Sequence, residues 1–171
     1  ILFSLIRGSV KSGGINKNLS QGYSASCPSP VVSGSPYMIK APVVLVFCGD
    51  IRRIQRNSKL RKLPFAQNTL DNFMNAAVDA ALAMQTYILA AESYGLGCCP
   101  ISHVRNNLDE VRELLRLPKG VFPMAGLTAG WPSEERDGTL RLPPSVVIHQ
   151  NTYNDDALPE EIDIYDQRRH D

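Results

Sequence analysis

The sequence of 171 residues predicts an α+β fold, in which helices pack on a mixed sheet. A continuous, β-branched apolar run at residues 41–48 has the pattern of a strand that is buried on both faces. A long, Ala-rich and almost uncharged helix is predicted from about Leu70 to Tyr94, and a helix with so few polar faces belongs in a core or an interface. The predicted order of strand, long helix, helix, strand and strand completes the case for this fold class.

The first 36 residues carry few regular signals. Residues 1–11 predict a short amphipathic helix, and residues 12–36 have the Ser, Gly, Pro and Asn content of a loop. A structureless loop of this length is uncommon in a compact domain. It is therefore either a functional cover or a place where regular structure is missing. We expect a single domain over residues 1–171, with an atypical or incomplete N-terminal part at 1–36.

The elements that follow the long helix are predicted from caps and apolar runs. Asn106 or Asn107 is expected to cap a second helix at residues 108–117, whose first turn is acidic. Small and apolar residues at 121–130 predict a strand, and residues 145–149 predict a last strand. The tail is expected to be helical in part.

Composition and charge narrow the classes of partner and compartment. The formal net charge of +1 gives no reason to expect nucleic acid or an acidic membrane as a bulk partner. Four cysteines without C-x-x-C spacing favour a reducing compartment, and no apolar run has the length and composition of a membrane span. We expect a soluble, cytoplasmic protein. The basic stretch at residues 51–63 is best explained as a solvated surface, with a phosphate-binding patch as the alternative.

The sequence offers no conventional catalytic motif. It contains no G-x-S-x-G, H-E-x-x-H or Walker motif, and its three histidines are scattered. We therefore expect no metal site and no catalytic side chain that works as a nucleophile or as a general acid or base. Chemistry, if present, would come from a bound cofactor.

A glycine-rich turn ends the long helix and is the leading candidate for a ligand contact. Gly95, Leu96 and Gly97 precede Cys98, and the backbone N–H groups of Gly97 and Cys98 could donate hydrogen bonds to a planar heterocycle. A glycine C-cap is the structural alternative. The pair Cys98-Cys99 is either redox-active or, as we favour, a pair of small residues in a crowded turn. Arg141 is either a phosphate ligand or a solvated loop arginine.

Seven short motifs occur in an order and spacing similar to those of the flavin-dependent nitroreductases. The similarity covers residues 37–153, leaves 154–171 as a tail, and is greatest to the oxygen-insensitive, NADPH-using group. Each motif is weak alone, and their shared order makes the resemblance specific. They are APVVLVFCGD, AAESYGLG, VRNN, LP-x-x-VFP, GWP, RLP and SVVIHQNTY.

The resemblance implies a nitroreductase-like fold with a mainly antiparallel sheet, and a homodimer built on the long central helix with FMN at the interface. It implies that the flavin edge contacts the turn of Gly95, Leu96, Gly97 and Cys98. In the same way, Arg141 matches an FMN-phosphate arginine, although Thr139 stands where relatives often have lysine. The R-x-S-x-R phosphate segment of the family is represented by a single candidate, formed by Arg7, Ser9 and Lys11.

The expected function is therefore that of an FMN-dependent oxidoreductase with a ping-pong cycle. NAD(P)H would be the hydride donor, and a nitroaromatic, quinone or flavin-type small molecule would be the electron acceptor. The alternative is a non-catalytic, flavin-binding or dimeric scaffold member of the same fold. That alternative is motivated by the N-terminal third, where the flavin contacts of relatives have few counterparts.

Overall fold

A computed structural model describes residues 2–7, 41–65, 69–132 and 138–170, with 2–7 described by their backbone. Two compact units divide the chain, Ile1–Ser133 and Glu134–Asp171. The loop predicted at 12–36 lies outside the described residues. So do two predicted phosphate ligands, Ser9 and Lys11.

In its described residues, the first unit contains four strands, three α-helices and one 3₁₀ helix. The long helix and the strands predicted at 41–48 and 121–130 are confirmed with small shifts of their ends. In chain order the elements are β1 (Leu2–Arg7), β2 (Val43–Asp50), α1 (Arg52–Leu60), α2 (Leu70–Ser93), β3 (Gly97–Ile101), the 3₁₀ helix (His103–Arg105), α3 (Leu108–Leu114) and β4 (Val121–Gly130).

The described strands form one sheet of order β1-β2-β4-β3, in which every neighbouring pair is antiparallel. Together with the flanking helices, this arrangement confirms the predicted α+β class. One irregularity interrupts the central pair. Phe47 pairs with Ala125 and Cys48 pairs with Pro123, so Met124 is an extra residue on β4. The Met124 carbonyl accepts a hydrogen bond of 2.7 Å from Nη1 of Arg105.

Both faces of the sheet are covered. On one face, Leu45 and Phe47 of β2 pack with Ala80 and Ile88 of α2. On the other face, alternate residues of β2 pack against the 3₁₀ helix and α3, in a cluster of Val44, Val46, Cys48, Val104, Val111, Leu117 and Val121. The alternation of side chains along a strand explains why one continuous apolar run serves two layers of core.

The N-terminal segment differs from its predicted form. We expected a short helix within residues 1–11, whereas Leu2–Arg7 is strand β1, paired with β2 over six residues. A helix of this length is marginal by itself, because its nucleus is costly. An apolar segment beside an open strand edge gains backbone hydrogen bonds by pairing, so the tertiary context decides the outcome.

The helix after the glycine turn is also shorter than predicted. It ends at Leu114 rather than at residue 117, because Arg116 adopts a left-handed conformation with φ of 51°. Leu117 N–H then donates to the Arg112 carbonyl at 2.8 Å and closes the helix. Asn107 occupies the N-cap position, but its side chain makes no capping hydrogen bond.

Within the residues of the second unit that the structure describes there are two helices, α4 (Pro144–Val147) and α5 (Leu158–His170). The prediction of a last strand at 145–149 is wrong, because most of this run is helix α4. Pro144 explains the difference, since proline at the first helical position has the φ of a helix and lacks only an N–H that would be unpaired there. Helix α5 confirms that the tail is helical in part.

Candidate functional site

The glycine turn begins as the cap of helix α2. Gly95 has a φ of 76°, its N–H donates to the Glu92 carbonyl at 2.9 Å, and the Leu96 N–H donates to the Ala91 carbonyl at 3.1 Å. These two bonds define a Schellman motif, which favours glycine at the left-handed position. For Gly95 the structural alternative is thus confirmed. The N–H groups of Gly95 and Leu96 are already used within the chain and are not free for a ligand.

The next two amides have a different environment. Gly97 and Cys98 begin β3, where they pair with Gly130 and Ala129 of β4. In the described sheet β3 has a neighbour on one side only. Because N–H groups alternate in direction along an antiparallel strand, one of these two adjacent amides points away from β4. The turn therefore presents one backbone donor at the sheet edge rather than several at a helix end.

The packing around the two paired glycines is unequal. A Cβ atom on Gly130 would lie 2.8 Å from Cδ of Pro42, so no larger residue fits there without a shift. A Cβ atom on Gly97 would meet nothing closer than Cγ of Pro132 at 3.6 Å, which is ordinary van der Waals contact. Gly97 also lacks the positive φ that justifies Gly95. Within the described chain, neither space nor backbone conformation requires glycine at position 97.

Trp131 and Pro132 complete this corner of the molecule. A Cβ atom on Gly95 would lie 3.6 Å from Cζ3 of Trp131, so the indole ring packs beside the turn while 65% of Trp131 remains exposed. Pro132 lies beside Gly97 in the same way. An exposed aromatic ring next to an unhindered glycine gives a flat, largely apolar surface.

The two adjacent thiols face opposite sides of the sheet. Cys98 packs against the core cluster that contains α2, whereas Cys99 is exposed and directs its thiol toward the Pro100 carbonyl. Burial, and secondarily the charge of Glu92, raises the pKa of the Cys98 thiol, so its reactive thiolate form is disfavoured. This geometry agrees with the interpretation of Cys98 as a packing residue, whereas the exposed Cys99 does not fill a crowded turn. The same geometry also directs the Cys98 side chain away from the sheet edge.

Arg7 lies at the same level of the sheet as the glycine turn. It pairs with Val43, Val43 pairs with Ala129, and Ala129 pairs with Cys98, so one line of paired backbone positions crosses all four strands. Three interstrand spacings separate the two ends of this line by about 14 Å. Arg7 and the turn are thus at one end of the sheet but on opposite edges.

The structure brings together four of the predicted site residues, Gly95 to Cys98, as one continuous segment. Arg141 belongs to the second unit, where it is exposed and makes no ion pair or hydrogen bond with the residues that the structure describes. Exposed guanidinium groups suit the bidentate binding of anions such as phosphate.

Two contributors to this corner were not among the predicted site residues. Trp131 and Pro132 stood in the sequence only as part of the GWP motif, and the strand at Gly97–Ile101 was not predicted. The signal lay in the short run of Cys, Cys, Pro and Ile directly after the glycine turn. Once that run is paired with β4, the end of β4 and the residues after it must lie beside the turn.

The described ranges hold neither a cluster of metal ligands nor a membrane-spanning helix. No group of three or more His, Cys, Asp or Glu side chains there is arranged to hold a metal ion. No described helix combines the length and the apolar character needed to span a bilayer.

The chain is similar in sequence and in structure to known proteins of one family. The sequence profile described as "Nitroreductase family" matches residues 17–131, which include β2, α2, the glycine turn and β4. The chain belongs to the nitroreductase family. The predicted resemblance is therefore confirmed, together with its fold.

Two curated relatives illustrate the similarity. An FMN reductase [NAD(P)H] of Bacillus subtilis (strain 168) is 41% identical over 147 residues, which are 82% of this chain and 57% of the relative. An oxygen-insensitive NADPH nitroreductase of Salmonella typhimurium is 40% identical over 125 residues, which are 72% of this chain and 50% of the relative. This nitroreductase chain thus spans about half the length of the curated relatives it matches.

Solved structures agree. The hypothetical oxidoreductase YcnD from Bacillus subtilis has a TM-score of 0.75 and 42% identity, over 81% of this chain and 57% of that one. An NADPH:FMN oxidoreductase from Vibrio harveyi, solved with NAD⁺, has a TM-score of 0.74 and 28% identity, over 98% of this chain and 66% of that one.

Proposed function

We propose that this nitroreductase chain belongs to an FMN-dependent oxidoreductase, which uses NAD(P)H to reduce nitroaromatic, quinone or flavin-type acceptors in a ping-pong cycle. The family assignment and the names of the relatives support the reaction class. The observation that carries the assignment of the site is Gly97. The described residues leave room for a side chain at position 97, so their packing does not explain why this residue is glycine. A flat ligand that approaches the backbone closely would explain it.

The described residues fit FMN along one side of the cofactor. The backbone at Gly97 and Cys98 would hold the edge of the ring system through the amide that points away from β4. The proposed ligands of the phosphate are the cationic side chains of Arg7, Lys11 and Arg141, together with the hydroxyl of Ser9. When bound, FMN supplies the hydride and electron chemistry that no side chain of this corner offers.

The protein residues have limited chemical roles in this proposal. The one outward backbone amide would donate a hydrogen bond to the flavin ring where negative charge collects on reduction, a role that needs no titrating group. The Gly95 cap fixes the position of that amide by closing helix α2 immediately before β3. The indole of Trp131 provides an exposed surface beside it for aromatic ligands.

We further propose that two copies of the chain form a homodimer through helix α2. Met74, Val78, Leu82 and Leu89 follow one stripe of this helix and are each at least half exposed, from 50% to 63%. A contiguous exposed apolar stripe is typical of an interface. Leu82→Glu is expected to give monomers in light scattering, and a variant that remains dimeric would exclude this stripe.

A reducing, cytoplasmic location is part of the same proposal. Cys48, Cys98 and Cys99 are all free thiols, in line with a compartment where disulfides are rare.

A cofactor and turnover experiment tests the function. The purified protein is expected to bind FMN, to show flavin absorbance and to oxidise NADPH when a nitroaromatic is added. Protein that stays colourless after incubation with FMN and removal of the unbound cofactor would exclude the proposal. Tight FMN binding without NADPH or NADH oxidation would instead favour the non-catalytic flavin-binding alternative.

A further inference from the structure

The strongest surface feature outside the site is the basic segment, residues 51–63. It carries six Lys or Arg residues and no Asp or Glu, although the net charge of the whole chain is only +1. Helix α1 and the turn after it contain these cations, and α1 buries none of its residues. The sequence left this stretch as either a solvated surface or a phosphate-binding patch.

Of the six cationic side chains in this segment, one packs against the rest of the protein and five are exposed. The stem of Arg52 lies close to Gly120, with Cγ 2.9 Å from the position of a Cβ there. The remaining five are exposed and have no acidic partner among the described residues, where the ion pair found joins Arg112 and Asp109. We call these five the basic patch: Arg53, Arg56, Lys59, Arg61 and Lys62.

Exposed aliphatic side chains are interspersed with the basic patch. Leu60 is 82% exposed, Leu63 is 63% exposed and Ile54 is 61% exposed. Arg53, Arg56 and Leu60 are spaced three and four residues apart, so they share one face of α1. The surface therefore combines positive charge with apolar side chains whose exposure to water is unfavourable.

The turn after α1 is ordered by its own hydrogen bonds. Leu63 N–H donates to the Ser58 carbonyl at 2.9 Å, and the Ser58 hydroxyl donates to the Leu63 carbonyl at 2.5 Å. These bonds keep Arg61, Lys62 and Leu63 beside the helix. The charges are thus presented without the full entropic cost of ordering a flexible tail.

We propose that the basic segment docks this protein onto the surface of an anionic lipid bilayer. Phospholipid headgroups would pair with the basic patch, while Leu60 and Leu63 enter the boundary of the acyl chains. This contact is peripheral and needs no membrane-spanning helix. It is a local property, which the net charge of the chain does not reveal.

Two other kinds of anionic partner fit less well. Nucleic acid would leave the aliphatic tips of Leu60 and Leu63 without partners, and the segment has no aromatic or histidine ring on which a base could stack. The basic segment offers an acidic protein thirteen residues to contact, whereas a stable protein interface usually uses about 20–30 residues on each side. A bilayer is planar and fluid, so it requires no matching shape.

The docking surface and the candidate site lie at opposite ends of β4. Helix α1 follows Asp50, which pairs with Val121, whereas the site is at Gly130. The ten residues of β4 separate these ends by about 30 Å. Docking therefore leaves the site open, and variants of the patch should keep FMN binding and turnover in solution unchanged.

Vesicle co-sedimentation of the full chain tests the proposal. Binding is expected to vesicles of phosphatidylcholine with about one third phosphatidylserine, to fall as salt is raised, and to be absent with phosphatidylcholine alone. Arg53→Gln with Arg56→Gln should weaken partitioning by about 30-fold, or about fivefold for each charge. Leu60→Ser should weaken it several-fold while the net charge stays the same.

A matched control removes two exposed arginines from the second unit. Arg168→Gln with Arg169→Gln makes the same change in net charge and should leave partitioning unaltered; an equal loss would overturn the proposal. Equal binding to both kinds of vesicle would overturn it as well. Binding to a DNA duplex that exceeds vesicle binding and does not depend on Leu60 would assign the patch to nucleic acid instead. Circular dichroism of each variant separates lost docking from lost structure.

Discussion

Gly97 pairs with Gly130 across the β3–β4 ladder, and among the described residues packing requires glycine at position 130 but not at position 97. Pro42 occupies the space that a side chain at 130 would need, whereas position 97 is open. This contrast between two paired glycines allows the ligand role of one to be tested against the structural role of the other.

Gly97→Val is expected to preserve the fold and to weaken FMN binding. Valine suits a strand, and the nearest atom to a Cβ at position 97 is 3.6 Å away. The melting temperature should stay close to that of the parent, while FMN affinity falls by at least about tenfold, or about 1.4 kcal/mol. Fluorescence titration with FMN and thermal unfolding measure the two effects.

Gly130→Val is the matched control, and it should lose stability first because of the 2.8 Å approach to Pro42. If both variants lost stability and FMN affinity to the same extent, Gly97 would be a packing residue like its partner.

Arg141→Ala is expected to weaken FMN affinity by about 1.5–3 kcal/mol if the guanidinium makes a charge-assisted bond to the phosphate. Arg168→Ala removes another exposed arginine of the second unit and should have little effect. Isothermal titration with FMN compares the two, and unchanged affinity in the Arg141 variant would remove this residue from the site.

Trp131→Ala is expected to reduce kcat/KM for a flat nitroaromatic by roughly 2- to 12-fold, the range of an aromatic stacking contact. A small inorganic oxyanion as acceptor should be unaffected, because it cannot stack. Trp131→Phe should restore much of the loss. Equal losses for both acceptors would mean that the ring, which packs beside Gly95, supports the turn rather than the acceptor.

Stability at high pH should report on Cys48. Burial raises the pKa of this fully buried thiol from 9.0 to about 11, so the folded state holds its proton more tightly than the unfolded state. The unfolded chain binds fewer protons between these two pH values, and the free energy of unfolding should therefore fall by about 2 kcal/mol as pH rises from 9 to 11.

Urea unfolding at a series of pH values measures this slope. Cys48→Ala should be less stable throughout, because it leaves a cavity, but its stability should lack the component of the slope that comes from the thiol. A slope that is the same in both proteins would assign the alkaline loss to other groups.

The long helix and the central strands could be predicted from the sequence because each carries many residues of one pattern. Six of the eight residues of β2, Val43 to Cys48, are apolar and serve two layers of core, and the 24 residues of α2 contain no proline or glycine. A pattern that continues over so many residues predicts the type of element even where local packing differs from the average.

Short elements could not be predicted in the same way. The runs at Leu2–Arg7, Gly97–Ile101 and 145–149 are only five or six residues long, and periodicity cannot separate a helix turn from a strand at that length. Pairing with β2 and β4 decides the first two, and Pro144 decides the third.

The glycine turn shows the same limit within the site. From sequence, Gly95-Leu96-Gly97 offered a ligand turn or a helix cap as alternatives for the whole segment. The structure divides the segment, because Gly95 has the positive φ of a cap and Gly97 has an extended strand partner. Only the positions of neighbouring atoms, such as Pro42 and Pro132, distinguish the two glycines.

The line of paired positions from Arg7 through Val43 and Ala129 to Cys98 fixes the distance between the two edges of the described sheet. Its length is set by three backbone ladders, and side-chain substitutions in the strands do not alter the spacing between ladders. A ligand that reached both edges would therefore be selected by its length, and this selection would tolerate changes in strand sequence that preserve the hydrogen bonds.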